Sequence, residues 1–137
     1  MQQRRPSPTR DSERRFATVL FADVSGFTAM SRRMDPEDMT GIMNRCFEIL
    51  EQVVFEHGGH VDKYIGDCVM ALFGVPHALE RAPLRAVHAA REMLRRVQEF
   101  QSRERIATPL NLHVGINSGL VVAGEVGGAT TRDFTVM

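Results

Sequence analysis

Lysine is almost missing from this chain: Lys63 is the only one, and the other 16 of its 17 cationic residues are arginine. Arginine is a planar fork, whereas lysine is a compact ammonium that can only donate hydrogen bonds. In so arginine-biased a chain, the single lysine suggests a position where the fork will not serve. Cysteine is scarce as well. Cys46 falls in an apolar helical pattern and Cys68 just inside a strand, so both read as small buried thiols in a reducing cytoplasm, with no disulfide framework. Neither sign of charge is in excess, since 17 Lys+Arg balance 17 Asp+Glu. That balance points to neither nucleic acid nor a membrane surface as partner. No apolar run approaches the length of a spanning helix, and there are no internal repeats. Residues 1–14 lack apolar core formers and read as a disordered tail. They also lack the hydrophobic segment of a secretory signal, and Asp11 and Glu13 argue against a transit peptide.

What is present is one domain, residues 15–137, of ordinary composition at 43% hydrophobic and 25% charged. It is long enough to bury a real core. Its most informative stretch is Thr18-Val19-Leu20-Phe21-Ala22-Asp23-Val24-Ser25-Gly26-Phe27-Thr28. Thr18 to Ala22 is apolar or β-branched on both parities, as in a central strand covered on both faces. Asp23 ends that run, where a carboxylate is costly unless paired, protonated or bound to a cation. Ser25-Gly26 then turns the chain, which places the acid at the mouth of a strand. Lys63 to Phe73 reads as strand, Gly66-Asp67 turn, strand, a hairpin signal. If that hairpin pairs beside the first strand, Asp67 and Asp23 converge at one sheet edge. Two such carboxylates, completed by water and substrate phosphates, suit Mg²⁺. Taken singly, Asp23 also fits a helix N-cap and Asp67 an ordinary turn.

The helices are plainly marked. Phe27 to Arg33 allows a short helix whose free amide groups lie at the Ser25-Gly26 turn, where they can face a phosphate. Asp35-Pro36-Glu37-Asp38 starts a second helix, with Asp35 as N-cap, and Gly58-Gly59 stops it. His57 is expected at its carboxyl end. His57 and His60 together lack the further ligands zinc requires. A third helix is expected from Leu79 to Gln101, with Ala82, Ala86, Ala89, Ala90, Met93, Leu94, Val97 and Phe100 as its inner stripe. Leu110 to Ser118 alternates as a strand, Gly119 reads as a turn, and Leu120 to Ala123 as the returning strand. A polar loop to Arg132 and a last strand, Asp133 to Met137, complete the order. This is an α+β sandwich of ferredoxin-like type. Its helices can cover only one sheet face, so the other, also apolar, is expected to meet a second subunit.

Four ordered motifs carry a resemblance: Phe21-Ala22-Asp23-Val24-Ser25-Gly26-Phe27-Thr28, Lys63-Tyr64-Ile65-Gly66-Asp67, Val114-Gly115-Ile116-Asn117-Ser118-Gly119-Leu120-Val121-Val122-Ala123-Gly124, and Asp133-Phe134-Thr135-Val136-Met137. Over roughly residues 14–137 the chain resembles the class III adenylate/guanylate cyclase catalytic domain. The resemblance implies a homodimer with active sites at its interface, and conversion of ATP to 3′,5′-cyclic AMP and pyrophosphate using two Mg²⁺ (or Mn²⁺) ions. It implies Asp23, Asp67 and the carbonyl of Val24 as metal ligands. It further implies Ser25, Gly26, Phe27 and Thr28 around the phosphates, with Lys63 and Thr135 reading the purine. Adenine N1 accepts a hydrogen bond and guanine N1 donates one, so Lys63 favours adenine. Asp133 shares the strand parity of Thr135, and the purine assignment stays open between them. The family's Gly-Asp-x-x-Asn-x-x-x-Arg segment would follow Met137, so residues 1–137 alone are expected to be nearly inactive. The alternatives are a degenerate cyclase-like module that binds nucleotide or dimerises without catalysis and, less favoured, a guanylate cyclase.

Overall fold

The computed structural model describes residues 12–124; the expected last strand, Asp133 and Thr135 lie outside the described residues. A four-stranded antiparallel sheet in the order β2-β3-β1-β4 forms one layer. Its strands are β1 (Ser12–Ser25), β2 (His60–Ile65), β3 (Cys68–Phe73) and β4 (Asn111–Gly124). The helices among the described residues are α1 (Phe27–Met30), α2 (Pro36–Glu56) and α3 (Ala82–Arg103). The expected α+β class is observed, and β1 is indeed central, between β3 and β4.

Strand alternation divides β1 between two environments. Leu20, Ala22 and Val24 join the main core with Leu50, Val53 and Val54 of α2 and Ala86, Ala89 and Met93 of α3. Ala17 and Val19 instead join a smaller cluster with Met70, Leu72, Val75 and Val121. The sheet is therefore apolar on both faces, as its sequence suggests. On the second face Phe21 and Ile65 stay 40% and 55% exposed.

The second helix begins as expected, with Asp35 at the N-cap and Pro36 in the first turn, although the Asp35 side chain makes no capping bond. His57 does sit at the carboxyl end, where Nδ1 lies 2.7 Å from the carbonyl oxygen of Val53. Both cysteines are free, and burial pushes the Cys46 thiol up to about 11.

Four expectations are corrected. The strand β1 starts at Ser12, so residues 12–14 belong to it and not to a tail. Gly119 is no turn: β4 runs unbroken through it, paired with β1 from Ser25↔Asn111 to Ser12↔Gly124. The longer β1 offers a partner to every residue of β4, and a continuous ladder satisfies more backbone groups than a hairpin at Gly119 would. The helix α3 begins at Ala82, not Leu79, with Arg81 in a left-handed conformation before it and Pro83 in its first turn. Leu94 leaves the inner stripe and is 46% exposed, since it lies about 100° around the helix from the buried Met93.

This packing separates two leucines by their cost of truncation. Leu50→Ala, at a fully buried site, should destabilise the domain by roughly 2–5 kcal/mol, and Leu94→Ala by less than about 1 kcal/mol. Urea denaturation of both variants checks this, and equal losses would contradict the placement of Leu94.

Candidate active site

The candidate site lies on the sheet face turned away from the helices, at the end of β1. Asp23 pairs with Cys68 of β3 on one side and His113 of β4 on the other. All three side chains therefore share a face. The Cys68 thiol is raised, chiefly by burial and secondarily by the nearby Asp23 carboxylate. Asp67 lies in the two-residue turn between Ile65 and Cys68, whose bend depends on Gly66 at φ +61°. Its carbonyl accepts a 3.4 Å hydrogen bond from the amide of Val24. The hairpin thus carries Asp67 to the same sheet edge as Asp23, as the sequence led us to expect.

Both carboxylates are exposed, and neither has a salt bridge or hydrogen bond among the described residues. Their donor set is hard oxygen. No group of three or more His, Cys, Asp or Glu converges among the described residues. Such a pair fits Mg²⁺ or Mn²⁺, which keep several waters and take one or two carboxylates plus phosphate, better than zinc, which demands a fuller set of protein ligands.

Beside Asp23, the chain turns into α1 at Gly26. Its φ of +114° suits glycine, and a Cβ there would stand 2.4 Å from the carbonyl oxygen of Pro109. The phenyl ring of Phe27 is buried in the core, so only its amide is available to a ligand. Thr28 is exposed. The hydroxyl of Ser25 reaches the carbonyl oxygen of Asn111 at 3.4 Å.

Lys63 reaches the same face by an irregularity that the sequence does not announce. The ladder of β2 with β3 runs His60↔Leu72 and Val61↔Ala71, then resumes at Lys63↔Met70 and Tyr64↔Val69. Asp62 is the extra residue of a bulge. Tyr64 consequently turns toward the helices, where it meets Phe47 edge-on and donates to Glu51. Lys63, Met70, Phe21 and Gly115 form one cross-strand row, and Ile65, Cys68, Asp23 and His113 the next. Lys63 thus stands two strands from Asp23, about 10 Å across the sheet. A single ligand touching both ends must be elongated, with a cationic or metal-bound end at the carboxylates and an acceptor-bearing end at the ammonium. Asp62, Cys68 and His113 were not singled out from the sequence as neighbours of the site. Cross-strand register identifies them, and only an acid beside the single lysine hinted at the first.

Comparison with known proteins identifies the family to which this fold belongs. The adenylate and guanylate cyclase catalytic domain model matches residues 11–136, and the chain belongs to that family. An adenylate cyclase of Anabaena cylindrica is 34% identical over 126 residues, covering 88% of this chain and 24% of the relative. The chain thus spans about a quarter of that relative's length. The adenylyl cyclase CyaB from P. aeruginosa superposes with a TM-score of 0.84 at 30% identity, covering 93% of this chain and 67% of CyaB. The guanylyl cyclase Cya2 does so with a TM-score of 0.81 at 32% identity, covering 93% and 66%.

The close approach at Gly26 yields a prediction. Gly26→Ala should lower stability by at least about 1–3 kcal/mol and displace the backbone at Pro109 and Leu110. Denaturation together with the amide shift of Leu110 measures both. Wild-type values would show that the turn is not confined by Pro109.

Proposed function

We propose that this is the catalytic domain of an adenylate cyclase, which converts ATP to 3′,5′-cyclic AMP and pyrophosphate. The observation that carries the reading is the placement of Asp23 and the chain's only lysine on one sheet face, with Asp67 in the adjoining turn and neither carboxylate in a salt bridge or hydrogen bond among the described residues. Two Mg²⁺ or Mn²⁺ ions, when bound, would supply Lewis-acid activation of the ribose 3′-hydroxyl and neutralise the triphosphate. Asp23, Asp67 and the carbonyl of Val24 would hold them.

The chain's own contributions are positional. Amides from Ser25 to Thr28 cradle the terminal phosphates, with Gly26 letting the backbone turn tightly enough to do so. The ammonium of Lys63 donates to adenine N1; guanine N1, itself a donor, would oppose it. The solved relatives divide between adenylyl and guanylyl cyclases, so base choice rests on residue 63 and not on the family. Thr135 is proposed as the second purine contact, by its place in the motif Asp133-Phe134-Thr135-Val136-Met137. Ile65, at the end of the row that holds Asp23, and Phe21, in the neighbouring row, are exposed, and a second copy of the chain is proposed to cover this face. No helix among the described residues is long and apolar enough to cross a membrane; a cytoplasmic location is part of the proposal.

Asp23→Ala and Asp67→Ala should each weaken Mn²⁺–ATP binding at least about tenfold, the equivalent of roughly 1.4 kcal/mol, with the fold retained. Calorimetric titration with parallel circular dichroism decides the matter. Unchanged affinity in both variants would return the acids to capping and turn duty.

A further inference from the structure

Asp62 is the least satisfied charged group among the described residues. Its side chain is 1% exposed, and neither carboxylate oxygen has a hydrogen-bond partner. The cation that approaches it is Lys63, whose Nζ lies 3.6 Å from Oδ2 and whose side chain is 39% exposed. A buried carboxylate without hydrogen bonds is costly to maintain, and a nearby ammonium offsets only part of that cost. The fold nevertheless places this group in the bulge of β2, one residue before the proposed purine donor.

The bulge has a second effect. Continued without the extra residue, the ladder would set Lys63 opposite Val69, whose side chain is fully buried in the core beneath the helices. The lysine would then point into apolar surroundings, and the nucleotide face would have no cation there. With Asp62 inserted, Lys63 falls opposite Met70 on the face that carries Asp23. The same residue thus redirects the lysine and presents a carboxylate to its ammonium. At 3.6 Å the contact is longer than a charge-assisted hydrogen bond of about 2.8 Å. The ammonium is held near the acid with protons left over for a ligand.

We propose that Asp62 is a positioning residue that sets the purine specificity of this site, by holding the Lys63 ammonium at the height where an adenine edge is read. This rests on the reading of Lys63 as the purine donor. Asp62 acts only through Lys63 and touches neither the metals nor the phosphates.

The test is a double-mutant cycle on base discrimination, using Mn²⁺–ATP and Mn²⁺–GTP as probes with the wild-type protein, Asp62→Asn, Lys63→Met and the double variant. Asp62→Asn should narrow the preference for ATP over GTP by about tenfold, the scale of one charge-assisted contact, while Mn²⁺ affinity stays unchanged. In the Lys63→Met background the same substitution should leave the ratio where it was. A merely structural role would weaken both nucleotides equally. That outcome, or a further loss of discrimination in the absence of Lys63, would overturn the proposal. If Lys63→Met does not alter the wild-type ratio, the purine reading itself fails. If Lys63→Met alters it and Asp62→Asn does not, the role of Asp62 alone fails. Should Asp62→Asn not fold, Asp62→Ser takes its place, and the unmodified chain supplies an independent measurement. Because Lys63 is its only lysine, selective labelling yields a single Cε signal. An ordered Cε supports the anchoring, and the order parameter of a freely rotating surface lysine contradicts it.

Discussion

The antiparallel ladder that fastens β1 to β3 and β4 is the constraint on which the rest of the structure depends. It decides which side of the sheet each residue of β1 occupies: Leu20, Ala22 and Val24 go to the helices, Val19, Phe21 and Asp23 to the opposite face. A slip of one residue would exchange the two sets and drive the Asp23 carboxylate among Leu50, Val54 and Met93. Core packing and site geometry are therefore set by one register. The helices α2 and α3 enforce it, because the small side chains Ala86, Ala89 and Ala90 let α3 lie close on the sheet.

The site inherits its openness from the same arrangement. A four-stranded sheet with its helices on one side leaves the other side for a ligand or a partner. On that side the register places Asp23 and His113 in one row and Lys63 in the next. Asp23 and Lys63 are thus separated by about two strand spacings, a layout that suits a nucleoside triphosphate bound through its metal-held phosphates at one end and its base at the other. The whole-chain charge is zero, so recognition has to come from this local placement and not from a general field.

Much of this was legible in the sequence because the relevant signals are local. The apolar run before Asp23 marks a central strand, Gly66-Asp67 marks a hairpin, and Asp35-Pro36 marks a helix start; each appears where expected. Gly119 misled because a glycine after Asn117-Ser118 resembles a turn, and only the unexpected length of β1 reveals it as a strand residue. The start of α3 was misplaced because its apolar pattern extends back to Leu79, while Pro83 was the signal that the first turn lies later. The β2 bulge had no local signal at all. Strict alternation from Val61 to Ile65 would have put Lys63 on the side of Val61, which packs on the main core. It takes the pairing with β3 to show that Asp62 breaks the alternation and sends Lys63 to the face of Asp23.

The central claim, that a metal-bound nucleotide lies on the open sheet face between Asp23 and Lys63, is tested most directly by paramagnetic relaxation with Mn²⁺–ATP bound to the protein. Broadening should centre on the amides of Gly26, Gly66 and Cys68, extend more weakly to Lys63, and spare Ala86 and Ala90 in α3. It should disappear in Asp23→Ala. Broadening centred on the helix side, for example at Glu48 and Glu51, or a pattern unaffected by that substitution, would contradict the account.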